Sequence, residues 1–166
     1  LPSVKQMQQV LNAIRSSRSS AKVILLDVTF CRFKQRFYCL ENDKFPTEEF
    51  ASQQYPQGWR GEPELIFKNI GKLSAKLNSD ESTFGMKEGA YQIDKRTKKC
   101  GQRYYYHGQH RSVKKLLQEQ GIPPWLRDVY PIVYHQDTIA AIGDILVCDD
   151  FRVKGGLQLR WQWMLR

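Results

Sequence analysis

The sequence has little with which to build a metal site, a disulfide framework or a membrane span. Its four cysteines lie far apart and form no C-x-x-C pair, so neither a zinc ribbon nor a dithiol redox centre is indicated and we predict free thiols. Apolar runs such as residues 23–26 are short, whereas a membrane helix needs about 20 apolar residues. The first residues carry no charged-then-apolar signal sequence. We therefore expect a cytoplasmic protein that does not enter a membrane.

Acidic residues are also scarce. The chain has 17 of them against 26 lysines and arginines, for a net charge of +9. This charge favours an anionic partner, whether nucleic acid, a membrane surface or an acidic protein. Residues 86–127 hold ten basic and three acidic residues and so carry most of the excess. Because these cations alternate with tyrosines, we favour nucleic acid over a basic face that serves only solubility.

Patterns in the first 63 residues predict a small unit and a connection. Ser3 is placed to cap a helix whose apolar residues recur at helical spacing and should form one packed face; they are Val4, Met7, Leu11 and Ile14. Residues 23–30 and 37–40 are predicted to pair as a hairpin with a turn near Lys34. We assign residues 1–45 to this unit and residues 46–63 to a connection, in which Tyr55 and Trp59 should still pack against something.

Residues 64–166 are predicted to form a second domain of short strands. We expect strands at residues 65–70 and 73–77 with a turn at Gly71, then a polar loop at residues 78–89. Residues 131–135 and 138–147 should form a hairpin. Strict alternation near the end predicts a strand with one buried face, formed by Leu157, Leu159, Trp161 and Trp163. The fold class is therefore α+β.

The clearest local signals surround one short helix. Ser112 is a good N-cap, Gly121 and Ile122 are typical of a left-handed C-terminal cap, and Pro123 with Pro124 prevents continuation. With its apolar face buried, this helix should turn Lys114 and Lys115 outward, just after Arg111. Cations and the helix N-terminus are then predicted to face the same phosphates.

This region resembles a known family. Residues 114–119 (KKLLQE), 121–128 (GIPPWLRD), Pro131 and 137–143 (DTIAAIG) are similar to the C-terminal domain of tRNA(Ile)-lysidine synthetases. Residues 1–40 resemble the end of that family's middle, substrate-recognition domain. The resemblance implies a mixed domain with a β-sandwich and one or two short helices, and a chain that is a piece of a longer enzyme.

The resemblance also implies a function. The family uses ATP to adenylate the wobble cytidine of an isoleucine tRNA and then attaches lysine. Its phosphate loop, Ser-Gly-Gly-x-Asp-Ser, does not occur in this sequence, so we expect no ATP, no metal and no catalytic residue here, with ATP bound in the parent's catalytic domain. The expected partners are tRNA(Ile), at its acceptor stem, and that catalytic domain; homodimerisation is left open.

The predicted tRNA-binding residues are all basic. Lys114, Lys115 and Arg127 follow from the resemblance, although Arg127 could instead brace its own domain through Asp128 or a carbonyl. Arg111 is also carried over from the resemblance, although the family's glycine-rich entry to the helix is here Gly108-Gln109-His110. Lys98, Lys99 and Arg103 follow from charge and position, with a mobile surface loop that does not contact RNA as the open alternative. Trp125 and the tyrosines at residues 104–106 are predicted to pack in the core.

Two alternatives stay open on sequence grounds. The same fold could mainly dock on the catalytic domain or mediate dimerisation, with its charge incidental. A free-standing nuclease or RNA-modifying enzyme is disfavoured, because no paired carboxylates accompany a histidine. A metal site built from Cys100, His107 and His110 would lack a fourth ligand at the usual spacing.

Overall fold

A computed structural model describes residues 2–15, 20–42, 57–67, 70–95 and 102–164. The chain divides into two compact units, residues 1–48 and 49–166. Both units contain antiparallel strands, and the few helices are short, so the predicted α+β class is confirmed. No helix within these described ranges is long and apolar enough to cross a membrane.

The first unit opens with helix α1, Val4–Arg15. Ser3 and Gln6 form a capping box, since the Gln6 amide donates to Ser3 Oγ at 3.3 Å and the Ser3 amide donates to Gln6 Oε1 at 2.8 Å. The predicted cap is therefore confirmed. The predicted packed face is wrong, because Val10 is buried while three of its assigned residues are exposed; these are Val4, Met7 and Leu11.

Three strands complete this unit, β1 (Ser20–Leu25), β2 (Val28–Phe33) and β3 (Arg36–Glu41). They pair antiparallel in the order β1-β2-β3. The single strand predicted for residues 23–30 is wrong, because the chain turns at Leu26, whose φ is 53°. An apolar residue in that conformation gives no turn signal in the sequence. The expected turn at Lys34 is confirmed.

The second unit contains eleven strands, two α-helices and a 3-10 turn within its described residues. In chain order they are β4 (Leu65–Phe67), β5 (Gly71–Asn78), β6 (Phe84–Met86), β7 (Gln92–Lys95), β8 (Arg103–Tyr106), β9 (Gln109–Ser112), α2 (Val113–Glu119), α3 (Pro124–Arg127), β10 (Pro131–His135), β11 (Thr138–Ile142), β12 (Leu146–Val147), the 3-10 turn Asp149–Phe151, β13 (Arg152–Lys154) and β14 (Gly156–Trp163).

A five-stranded sheet has the order β13-β6-β14-β5-β4. The apolar residues predicted for one face of β14 do pack on the core, with Leu157 and Trp161 buried and Leu159 and Trp163 partly buried. Gly71 opens β5 instead of forming the predicted turn, and a Cβ there would lie 2.5 Å from the Gln162 carbonyl oxygen. β6 lies inside the stretch predicted to be a loop. The prediction missed it because the strand is short and its burial does not alternate: Gly85 and Met86 are both buried.

A four-stranded sheet has the order β12-β11-β10-β7. The predicted hairpin of residues 131–135 and 138–147 is confirmed, except that its second arm divides into β11 and β12. Ile132 and Ile142 from this sheet and Phe67 and Leu73 from the other belong to one buried cluster. The two sheets thus enclose a common core, as in a sandwich. Trp59 is also in this core and donates through Nε1 to the Pro63 carbonyl at 2.9 Å.

Candidate nucleic-acid interface

The predicted basic segment forms a hairpin that leads directly into a helix. β8 pairs with β9 around a turn at His107 and Gly108, both with positive φ. The Gly108 amide donates to Asp149 Oδ2 at 3.1 Å, which ties the turn to the 3-10 segment. Because β9 ends at Ser112 and α2 begins at the next residue, the cations on either side of this junction are close in the chain.

Both ends of α2 follow the predicted signals. Ser112 Oγ accepts from the Lys115 amide at 3.4 Å. At the other end Gly121 has φ 74°, and the amides of Gly121 and Ile122 donate to the carbonyls of Gln118 and Leu117. These two bonds form a Schellman motif. The helix is therefore held at seven residues.

The two faces of the β8–β9 hairpin have different environments. Tyr104 is paired with Arg111 and Tyr106 with Gln109, which places these four residues on one face. Tyr104 is 4% exposed, so this face turns inward at its base. The Arg111 guanidinium lies 5.9 Å from the centre of the Tyr106 ring, within the range of a cation–π contact.

The opposite face of the hairpin is more open to solvent. Tyr105, paired with His110, is 36% exposed, and its ring centre lies 5.2 Å from that of the histidine. The prediction that the tyrosines pack is therefore confirmed for Tyr104, holds in part for Tyr106, and is wrong for Tyr105.

Burial also sets the pKa values of two ionisable side chains near the hairpin. Burial raises the pKa of Tyr104, and the nearby positive charge of Arg111 acts in the opposite direction. Burial also raises the pKa of Cys148 to about 12. Both groups are neutral at pH 7 and add no charge to this part of the domain.

Four of the predicted RNA-binding cations lie on the surface of the second unit. Arg111, Lys114 and Lys115 are exposed at the β9–α2 junction, and Arg103 is exposed on β8, where it donates to the His110 carbonyl at 3.2 Å. Lys115 Nζ lies 3.9 Å from Glu119, with both side chains mostly exposed. Such a pair contributes little to stability and is readily exchanged for a phosphate. Contact of these residues with RNA stays a prediction.

Arg127 occupies a different environment. It is 8% exposed, and its Nε donates to the Ile122 carbonyl at 2.7 Å. The alternative considered from the sequence, that this arginine braces its own domain through a carbonyl, matches this geometry. We therefore leave it out of the interface. Trp125 packs against the core as expected. Lys98 and Lys99, also predicted to bind RNA, lie outside the described residues.

Two clefts adjoin the hairpin, and neither was predicted from the sequence. The hairpin cleft has a volume of about 410 Å³; its walls include Tyr104, Tyr106, Arg111, Lys115, Glu119 and Leu146. The sheet cleft has a volume of about 220 Å³; its walls include Phe84, Tyr106, Asp144, Leu146, Arg152 and Gln158. Because these residues come from distant parts of the chain, only the fold brings them together.

No group of three or more histidine, cysteine or acidic side chains in the described part of the chain is placed to hold a metal ion. The weak candidate site considered above includes Cys100, which lies outside the described residues. Cys31, Cys39 and Cys148 are free thiols.

Comparison with known proteins points to one family. Residues 93–163 match the model of the TilS substrate C-terminal domain. The chain is 32% identical over 155 residues to the tRNA(Ile)-lysidine synthase of Legionella pneumophila (strain Paris), which covers 91% of this chain and 34% of the relative. It is 33% identical over 117 residues to the tRNA(Ile)-lysidine synthase of Methylococcus capsulatus, covering 69% and 26%. The chain thus spans about a third of the length of the curated relatives it matches.

Proposed function

We propose that this chain, which belongs to the tRNA(Ile)-lysidine synthase family, serves as the tRNA-binding part of such a ligase. In this proposal it holds tRNA(Ile) in the cytoplasm while a separate catalytic domain uses ATP to join lysine to the wobble cytidine. The contact is made with the acceptor stem and is not itself catalytic.

The observation that carries the proposal is the group of exposed cations at the β9–α2 junction. Arg111, Lys114 and Lys115 are all exposed within five residues of chain, and the Ser112 cap fixes how the strand passes into the helix. A double-stranded RNA stem offers phosphates and 2′-hydroxyls, while its deep major groove hides the base edges. Positively charged side chains on a rigid support are what such a target requires.

The salt dependence of tRNA binding tests the proposal. Each phosphate neutralised by a cation contributes a slope of roughly 0.7 to 0.9 in log affinity against log salt. Three junction cations therefore predict a slope of about 2 or more for tRNA(Ile), measured by fluorescence anisotropy with the full chain. An acceptor-stem minihelix should bind with a similar slope, and an anticodon stem-loop should bind more weakly.

Charge reversal locates the contact. K114E/K115E should weaken tRNA binding at least about tenfold and lower the salt slope by about 2. The matched control is K76E/R160E, which changes the net charge equally at two exposed positions on the five-stranded sheet. Equal losses from both pairs would mean that only total charge matters. No binding to tRNA at low salt would refute the proposal and favour a protein-docking role.

A further inference from the structure

We propose that the hairpin cleft and the sheet cleft together bind the unpaired end of an RNA strand, with one nucleotide in each cleft. This inference rests on the proposed function and extends it, because it assigns a second and chemically different contact to the same RNA. The junction cations hold the phosphates of a stem, whereas the clefts hold bases that have left the stem.

The two clefts are neighbours and share part of their walls. Tyr106 and Leu146 contribute to the walls of both, so these two side chains stand as a partition between neighbouring cavities. Tyr106 is only partly buried; its ring is stacked on His107, with ring centres 4.2 Å apart, so a base would contact the aromatic surface that His107 leaves open. An RNA strand that passes over this partition would place successive bases on either side of it.

Each cleft pairs an aromatic ring with an arginine. In the hairpin cleft Arg111 lies 5.9 Å from the Tyr106 ring centre. In the sheet cleft Arg152 lies 4.1 Å from the ring centre of Phe84, which is 49% exposed. Sites for single-stranded nucleic acid combine rings that stack on bases with cations that follow the backbone. The presence of such an arginine–ring pair in each of the two clefts is the main support for the inference.

The acidic groups in the clefts are compatible with RNA. Glu119 lies 3.9 Å from Lys115 in the hairpin cleft. Asp144, in the sheet cleft, accepts a hydrogen bond from the Tyr130 hydroxyl at 2.9 Å. A carboxylate oxygen can accept a hydrogen bond from a base amino group or a 2′-hydroxyl. Phosphates are expected at Arg111, Lys115 and Arg152.

The shape of the site favours an unpaired strand over a duplex. In a stem the base faces are covered by stacking, so a ring in a cavity has nothing to contact. Unpaired bases expose both faces, and stacking on a protein ring is tolerant of sequence. Arg111 and Lys115 belong to both the junction and the hairpin cleft, which places the cleft where a strand leaving the stem would enter.

The test compares two stem-loop RNAs, one blunt and one with a four-nucleotide 3′ overhang, in anisotropy titrations with the full chain. We expect the overhang to tighten binding about tenfold, since stacking stabilises each bound base appreciably. Y106L should remove most of this gain, taken as the ratio of the two affinities within each variant, while Y106F should keep it. The matched control is Y105L, on the outer face of the same strand, which should keep the gain as well.

A second measurement does not depend on any variant. 2-Aminopurine placed in the overhang should lose fluorescence when the unaltered chain binds, because stacking on a ring quenches it. Equal affinity for both RNAs with no quenching would overturn the inference and leave the proposed function intact. Failure of both RNAs to bind would overturn both proposals. A gain that survives in Y106L would also overturn the inference.

Discussion

Two arginines in the same basic segment, Arg111 and Arg127, occupy opposite environments. Arg111 is exposed on β9 beside a tyrosine ring, while Arg127 is 8% exposed and donates to the Ile122 carbonyl. Between them Gly121 ends α2 and the chain turns back through α3. The difference shows that residue type and local charge density do not determine whether an arginine is exposed. The path of the backbone after a helix decides which side chain reaches solvent.

The largest effect should come from removing the buried arginine. R127M should lower the free energy of unfolding by about 2 kcal/mol, because the Ile122 carbonyl loses a charged donor in a buried setting. The same change at the exposed position, R111M, should cost less than about 0.5 kcal/mol. Urea denaturation of both variants measures the difference. Equal losses would show that the two environments are energetically alike and would break the comparison.

Substitution of Gly121, in the turn that separates the two arginines, should have the next largest effect. Gly121 has φ 74°, and an L-residue with a Cβ in this region costs about 1 kcal/mol. G121A should therefore be destabilised by about that amount, whereas G121N should lose less, since asparagine tolerates this conformation. The readout is thermal unfolding. If alanine and asparagine are tolerated equally, the glycine is not what directs the chain from one environment to the other.

In tRNA binding the order of the two arginines should be reversed, with the larger effect at Arg111. R111M should weaken tRNA binding severalfold and reduce the salt slope by about 1, with stability almost unchanged. R127M, measured at a temperature where it is fully folded, should keep the slope of the unaltered chain. An undiminished slope in R111M would remove Arg111 from the interface.

The smallest effect concerns Tyr104, beneath Arg111. Burial raises its pKa and Arg111 lowers it, so R111M should raise the pKa further. The folded state then keeps a proton that the unfolded chain loses above about pH 10, so stability present below that pH declines as pH rises. R111M should show a steeper decline than the unaltered chain between about pH 9 and pH 11, measured by urea denaturation. Adding Y104F should abolish the difference; a decline of unchanged slope would contradict the predicted coupling.

Local signals in the sequence were sufficient for parts of the fold. The caps of α2 and the alternation of β14 predicted those elements correctly, because a cap and a two-residue period act within a few residues of chain. The packed face of α1 was predicted wrongly, since Val4 and Met7 have the spacing of a buried face and yet Val10 is the residue that packs. Periodicity predicts which residues share a face and does not predict what covers it.

Part of the candidate site could likewise be predicted from the sequence, and part could not. The junction cations were predicted because they are neighbours in the chain and lie within a specific motif. Phe84, Asp144 and Arg152 were not predicted, because they come from separate parts of the chain and only the fold brings them into one cleft. Arg127 belongs to the motif as much as Lys114 does, and only its burial distinguishes it.

The position of β14 has a consequence for synthesis of the protein. It lies at the centre of the five-stranded sheet and pairs along its whole length with β5, which precedes it by about eighty residues. Pairing between distant segments closes a long loop and slows folding. While the ribosome is still translating residues 79–155, β5 lacks its central partner and its apolar face is uncovered. This sheet therefore cannot assemble until residue 163 has left the exit tunnel, and a nascent chain that stalls before β14 would be a substrate for chaperones.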